Sequence, residues 1–284
     1  MPFHFNELDT KKENLNLKKH LELPHLVSTN HFDYINREIN WSGFDNEKQF
    51  IKNKKSKKWK ETIQYYEKNP FKYKINNFGF RGNDFNKGDK VNIYLGCSIT
   101  FGTGIDYNDL WVKQLNDKID KDIKIVNLAQ GGCGIENQFR HFYNWKDYFD
   151  IQNIFHFQPL YAREDFISDT DVISHSSTTP IDESKVSLGF QLDYFASDVH
   201  LLRKYVTNLL AIQNLANQKQ IPYYFLHDIG SYKSEEIPQY ARDLSHPSKH
   251  WNKKLSLLFF EKYKNKDTYI DLLDTTLNEK ESIL

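Results

Sequence analysis

The sequence predicts an α/β fold, a three-layer, doubly wound, mostly parallel sheet that carries an N-terminal extension. Three observations lead there. From Lys90 onward, apolar runs of strand length alternate with longer segments of helical periodicity, as in a sheet covered by helices on both faces. The first run, Val91-Asn92-Ile93-Tyr94-Leu95, ends in the glycine-flanked turn Gly96-Cys97-Ser98-Ile99-Thr100-Phe101-Gly102, where a strand gives way to a helix. Residues 1–89 show no such alternation. The expected division is therefore 1–89, an extension, and 90–284, the main domain, with a long insertion at about 163–195.

Taken in order, parallel strands are expected at about 91–95, 123–127, 153–158 and 222–227, and helices at 108–119, 135–148, 197–219 and 248–264. The 197–219 segment places Leu201, Leu202, Tyr205, Leu209, Ile212 and Leu215 at helical spacing, which reads as a core-facing stripe. The third crossover is long. Its Ser/Thr/Asp-rich stretch, Ser168-Asp169-Thr170-Asp171 through Ser176-Ser177-Thr178-Thr179-Pro180, is too polar for a core element and reads either as a lid above the sheet or as a surface loop. In the extension, Lys52-Asn53-Lys54-Lys55-Ser56-Lys57-Lys58 precedes Trp59. A nucleic-acid patch and a solvated helix face compete there, and Glu61 and Glu67 just beyond favour the solvated face.

Composition narrows the partners. Lys+Arg and Asp+Glu are equal at 38 each, so no overall field favours nucleic acid or an anionic membrane surface. No run approaches the roughly 18 apolar residues of a membrane span, and the start, Met-Pro-Phe-His-Phe-Asn-Glu, lacks the basic and apolar regions of a secretory signal. A soluble, cytoplasmic protein is expected, without nucleic-acid or membrane partners. Only two cysteines occur, Cys97 and Cys133. Free thiols in a reducing compartment are expected, with a disulfide or shared metal site as the alternative. The 15% aromatic content suits core packing and an aromatic-lined cleft equally.

The chemistry sits in two short motifs. Ser98, on the glycine-flanked turn, is exposed as a nucleophile, with its own N–H pointing where an oxyanion would sit. Asp243-Leu244-Ser245-His246-Pro247 supplies a carboxylate and an imidazole three residues apart. Nucleophile, base and orienter are the three groups of acyl transfer. The plainer readings are that Ser98 caps a helix and that His246 caps the one beginning near Ser248. His227-Asp228, at the end of the fourth strand, ranks second as a dyad and reads as a buried histidine or a substrate contact.

These motifs, over roughly Lys90 to Lys264, resemble the SGNH (GDSL-type) hydrolase superfamily of esterases and lipases. Asn127-Leu128-Ala129-Gln130-Gly131-Gly132-Cys133-Gly134 looks like that family's second block, which makes Gly132 the expected backbone oxyanion donor beside Ser98. The resemblance implies a flavodoxin-like SGNH fold, a serine esterase or deacylase acting on a small-molecule or glycan ester, and no cofactor or metal. An Asn-x-x-Gly-Phe-Arg segment like Asn76-Asn77-Phe78-Gly79-Phe80-Arg81 often precedes the first block, and it is expected to pack beside the catalytic domain. Two departures stand out. Cys97 replaces the usual aspartate before the nucleophile, and the third-block Gly-x-Asn-Asp is absent after Asn153-Ile154-Phe155-His156-Phe157. Gln158 or Arg163 is expected to stand in for the missing asparagine donor, whose loss otherwise costs on the order of 100- to 1,000-fold in turnover. By analogy the substrate is a carbohydrate O-acetyl ester. The alternatives are a catalytically weak glycan- or partner-binding protein and an acyltransferase using the same serine.

Overall fold

The computed structural model describes residues 34–43, 45–158, 163–167, 172–176, 198–227 and 233–268. The extension is not featureless: β1 (Glu38–Ile39) pairs antiparallel with β2 (Tyr73–Lys74), and between them lie α1 (Glu47–Asn53), a 3₁₀ turn (Lys57–Trp59) and α2 (Lys60–Lys68). Sequence periodicity missed these helices because they are short, and α1 buries no residue at all. Asn46 starts α1 by accepting a hydrogen bond from the Gln49 N–H. The lysine cluster lies on the turn between the helices, mostly exposed, with Lys54 paired to Glu67 at 2.7 Å, a solvated face.

The main sheet comprises β3 (Lys90–Gly96), β4 (Lys124–Asn127), β5 (Asp150–Phe157) and β8 (Tyr223–Leu226), all parallel, in the order β4-β3-β5-β8. Alternate residues face opposite sides because the side-chain period of a strand is two. Val91, Ile93 and Leu95 pack with α5 (Ile135–Trp145) and α6 (Asp198–Gln218). Tyr94, Phe155 and Phe157 pack on the other face against α4 (Trp111–Ile119) and α7 (Lys249–Lys264). The expected three layers are thus present. The α6 stripe faces the core, with Tyr205, Leu209 and Ile212 buried.

The departures from sequence expectation have local causes. The helix expected at 108–119 is split, because extended Leu110 (φ −71°, ψ 135°) separates a 3₁₀ turn from α4. The insertion holds an antiparallel hairpin of β6 (Arg163–Ile167) and β7 (Val172–Ser176), which its polar composition did not signal. Residues 168–171 and 177–197, with most of the proposed lid, lie outside the described residues. Phe80 and Phe85 of the extension join the first core face beside Trp145, so the Asn76–Arg81 turn does pack on the sheet domain. No helix among the described residues is long and apolar enough to cross a membrane.

Two buried histidines sit in this core. His156 on β5 accepts from the Tyr223 hydroxyl through Nδ1 (2.6 Å) and donates through Nε2 to Gln138 Oε1 (2.5 Å), while His141 on α5 donates through Nδ1 to the Leu128 carbonyl (3.0 Å). Burial pushes both imidazoles down to about 3. The unfolded chain, with histidines near about 6.5, therefore binds more protons than the folded one between those values. Folding stability is expected to fall as pH drops from about 6.5 toward 3, by about 1.4 kcal/mol per pH unit for each histidine. Denaturant melts at several pH values check this. His156→Gln should flatten the slope by about one proton, and an unchanged slope would show that His156 is not buried neutral.

Candidate active site

The nucleophile turn is built by close approach. Gly96 has φ 154°, and a Cβ there would lie 2.0 Å from Thr100 Oγ1 and 2.7 Å from the Phe157 carbonyl, so only glycine lets the chain leave β3 at this point. Cys97 takes the N-cap position without a side-chain cap bond, and Ser98 is the first residue of α3 (Ser98–Phe101), which ends at left-handed Gly102 (φ 87°). Ser98 is therefore not the cap, and at 5% exposed it is buried where the sequence predicts exposure, because the His246 loop lies against its hydroxyl. Its carbonyl receives the N–H groups of Gly102 and Thr103, and its own N–H, in the first turn, is not used by the helix.

The other half is the loop before α7. His246 Nε2 lies 2.8 Å from Ser98 Oγ, and His246 Nδ1 lies 2.5 Å from Asp243 Oδ2. The carboxylate also accepts from Ser245 Oγ at 2.7 Å and from the N–H groups of Ser245 and His246 at 3.2 and 3.1 Å. Burial works to raise the Asp243 carboxyl, but these bonds and the imidazole's charge outweigh it and hold the group below the ordinary carboxylate range. With Nδ1–H committed to Asp243, Nε2 is the nitrogen that faces the serine hydroxyl. The capping alternative for His246 gives way, because Ser248 caps α7 by accepting from the Trp251 N–H. His227 accepts or donates to the Tyr205 hydroxyl at 3.1 Å, and its partner Asp228 lies outside the described residues.

Gly132 lies in the loop after β4, in a left-handed conformation (φ 80°) with no atom within 4 Å of an added Cβ. That loop is tied to the nucleophile turn twice, by Asn127 Nδ2 donating to the Thr100 carbonyl (2.8 Å) and by Cys133 Sγ at 3.5 Å from the Gly96 carbonyl. Both cysteines are buried free thiols. Of the two stand-in donors, Gln158 follows β5 immediately, where Phe157 pairs with Gly96, so it sits beside the start of the nucleophile turn. Its N–H bonds to the Leu226 carbonyl and its Oε1 accepts from Gln138 Nε2 at 2.7 Å, which fixes the orientation of its amide. Arg163 instead opens β6, paired with Ser176 in the hairpin.

Sequence reading expected the Asn76–Arg81 segment beside this domain but missed the side-chain bonds that hold these loops. Arg81, fully buried, donates to the carbonyls of Phe101, Gly102 and Ile105, just beyond the nucleophile. Burial pulls its guanidinium below the usual arginine range. Arg242, next to Asp243, is paired to buried Asp45 of the extension at 2.6 Å. An open groove of about 400 Å³ borders the same loop, lined by Asn46, Gln49, Asn53, Trp59, Leu244 and Ser245. One cue was available for Gln138: it lies on the core-facing side of α5, where a glutamine needs a polar partner.

No family model matches the chain, and no curated protein matches it. Among solved structures it is similar to a member of the lipolytic protein G-D-S-L family from Veillonella parvula, at 13% identity over 61% of this chain and 97% of the other, with a TM-score of 0.30. It is also similar to the lipase/acylhydrolase from Enterococcus faecalis, at 13% identity over 62% and 96% with a TM-score of 0.32. For the psychrotrophic esterase EstA from a Pseudoalteromonas species the values are 13%, 67%, 100% and 0.30.

The coupling of Asp243 to His246 is directly measurable. A ¹³C titration of the Asp243 side chain is expected to show a midpoint below the ordinary value of about 3.9. In His246→Ala the midpoint should move up, since burial then loses its main opponent. No difference between the two would show that the imidazole does not hold the carboxylate.

Proposed function

We propose that this chain is a serine esterase or deacylase of the SGNH type. The observation that carries the reading is the continuous contact of Ser98 Oγ, His246 and Asp243, at 2.8 and 2.5 Å, on a glycine-built turn. In this mechanism Ser98 Oγ attacks the ester carbonyl carbon as its proton passes to His246 Nε2, and Asp243 stabilises the imidazolium that results. The tetrahedral oxyanion is held by the N–H groups of Ser98 and Gly132 and by the side-chain amide of Gln158. Collapse expels the alcohol, which takes the proton back from His246. Water, activated by the same imidazole, then releases the acid from the acyl-serine.

A carbohydrate O-acetyl ester is the proposed substrate. The groove beside Asp243 supports it, since amide side chains and the Trp59 ring are the groups that hydrogen-bond and stack on sugars. In this reading the hydrolase domain is 90–284, and the extension packs on it and walls that groove.

Two measurements test the proposal. Ser98→Ala should abolish hydrolysis of a small activated acetate ester while leaving the circular dichroism spectrum native; native turnover in that variant would exclude the serine mechanism. Gln158→Ala should lower kcat by about 100-fold with little change in KM, whereas Arg163→Ala should remain near native. The reverse result would transfer the donor role to Arg163.

A further inference from the structure

The two loops that carry the candidate triad meet at a residue from outside the sheet domain. Asp45 sits on a tight turn closed by reciprocal backbone bonds with Ser42, at 2.9 and 3.1 Å, and is 1% exposed. Its carboxylate takes Arg242 Nε on both oxygens at 3.0 Å and Arg242 Nη2 on Oδ2 at 2.6 Å. The same oxygen accepts from the Tyr73 hydroxyl at 2.5 Å. That hydroxyl in turn accepts the Gly104 N–H at 2.7 Å, and the Gly104 carbonyl accepts the Arg242 N–H at 2.9 Å. The four groups close a ring: Asp45, Tyr73, Gly104, Arg242.

Each member is placed for this purpose. Gly104 lies six residues past Ser98, and a Cβ on it would come within 2.9 Å of both Ala241 Cβ and the Arg242 nitrogen and within 3.2 Å of the Asp243 nitrogen. The nucleophile's loop thus lies directly against the backbone that carries the orienting carboxylate. The Arg242 guanidinium is sandwiched 4.0 Å from the ring centres of Trp41 and Phe71 and also donates to the Asn40 and Phe71 carbonyls. All three of its nitrogens donate, an arrangement that a lysine's point charge would not reproduce.

From this geometry we infer that Asp45 and Tyr73 are positioning residues. Through the ring they fix the separation of the Ser98 loop from the Asp243–His246 loop, and thereby the geometry of proton transfer from Ser98 to His246. The inference rests on the serine-hydrolase reading above. It assigns to the extension a part in turnover beyond walling a groove. A buried ion pair is weak evidence for a gain in stability, since burying two charges costs about what their attraction returns. Holding two loops in register is a role it can fill without that gain.

Tyr73→Phe is the cleanest probe, because it deletes only the bridging hydroxyl and keeps the ring stacked on Phe101. Native chain and variant are compared in kcat and KM for a small activated acetate ester, with the folded fraction read by circular dichroism in the same samples. A displacement of reacting groups by a fraction of an ångström lowers the rate steeply. The expected result is a kcat reduced about 10-fold or more, a KM within about twofold of native, and a fully folded variant. Asp45→Asn, which cannot serve both Arg242 and Tyr73 with two acceptor oxygens, should lower kcat further. A native kcat in Tyr73→Phe, a change confined to KM, or a loss that merely follows the folded fraction would each overturn the positioning role while leaving the hydrolase reading intact. If the native chain shows no Ser98-dependent hydrolysis, both fall together.

Discussion

The bond between His246 and Ser98 joins groups 148 residues apart at 2.8 Å, and neither sits on a long rigid element. Ser98 begins a four-residue helix, and His246 lies in a loop ahead of α7. Proton transfer needs that distance held to a fraction of an ångström, so the surrounding structure reads as a set of restraints on two loops. β3 delivers the first loop at the carboxyl edge of the sheet, where ligand sites of open α/β sheets form. Gly96 lets it turn against the Phe157 carbonyl, and Arg81 holds its far end through three backbone carbonyls. The second loop is held inside by the bonds to Asp243 and outside by Arg242 against Asp45.

How much of this was legible in the sequence depended on range and polarity. The strands and the α6 stripe were readable, because Val91-Asn92-Ile93-Tyr94-Leu95 is a short, mostly apolar run buried on both faces, and Tyr205, Leu209 and Ile212 recur at the spacing of a helix that buries one. Ser98, Asp243 and His246 were readable because turn glycines and short acid–imidazole spacing are local signals. The ring was not, because Asp45 and Arg242 are 197 residues apart and isolated charged residues on a chain look like surface. The β6–β7 hairpin escaped for a related reason. Its strands pair through backbone groups, which need no apolar alternation in Arg163–Ile167 or Val172–Ser176.

The end of β5 holds a buried polar chain that fixes one amide. Gln158 occupies the end of the central strand β5, and its amide is oriented by a chain running from the Tyr223 hydroxyl through His156 and Gln138. Each link has one donor and one acceptor, so the direction of the first bond sets that of the last. His156 can serve in such a chain because burial keeps it neutral, with one nitrogen donating and the other accepting. A glutamine held this way has an amide of fixed orientation.

The central claim is that Ser98 is a nucleophile activated by His246. Intact-mass analysis after exposure to a fluorophosphonate tests it most directly, because the reagent bonds covalently to an activated serine and requires no knowledge of the natural ester. The account predicts a single adduct on the native chain, mapped by peptide sequencing to Ser98, absent in Ser98→Ala and formed far more slowly in His246→Ala. An unmodified native chain, or an adduct that persists in Ser98→Ala, would contradict it.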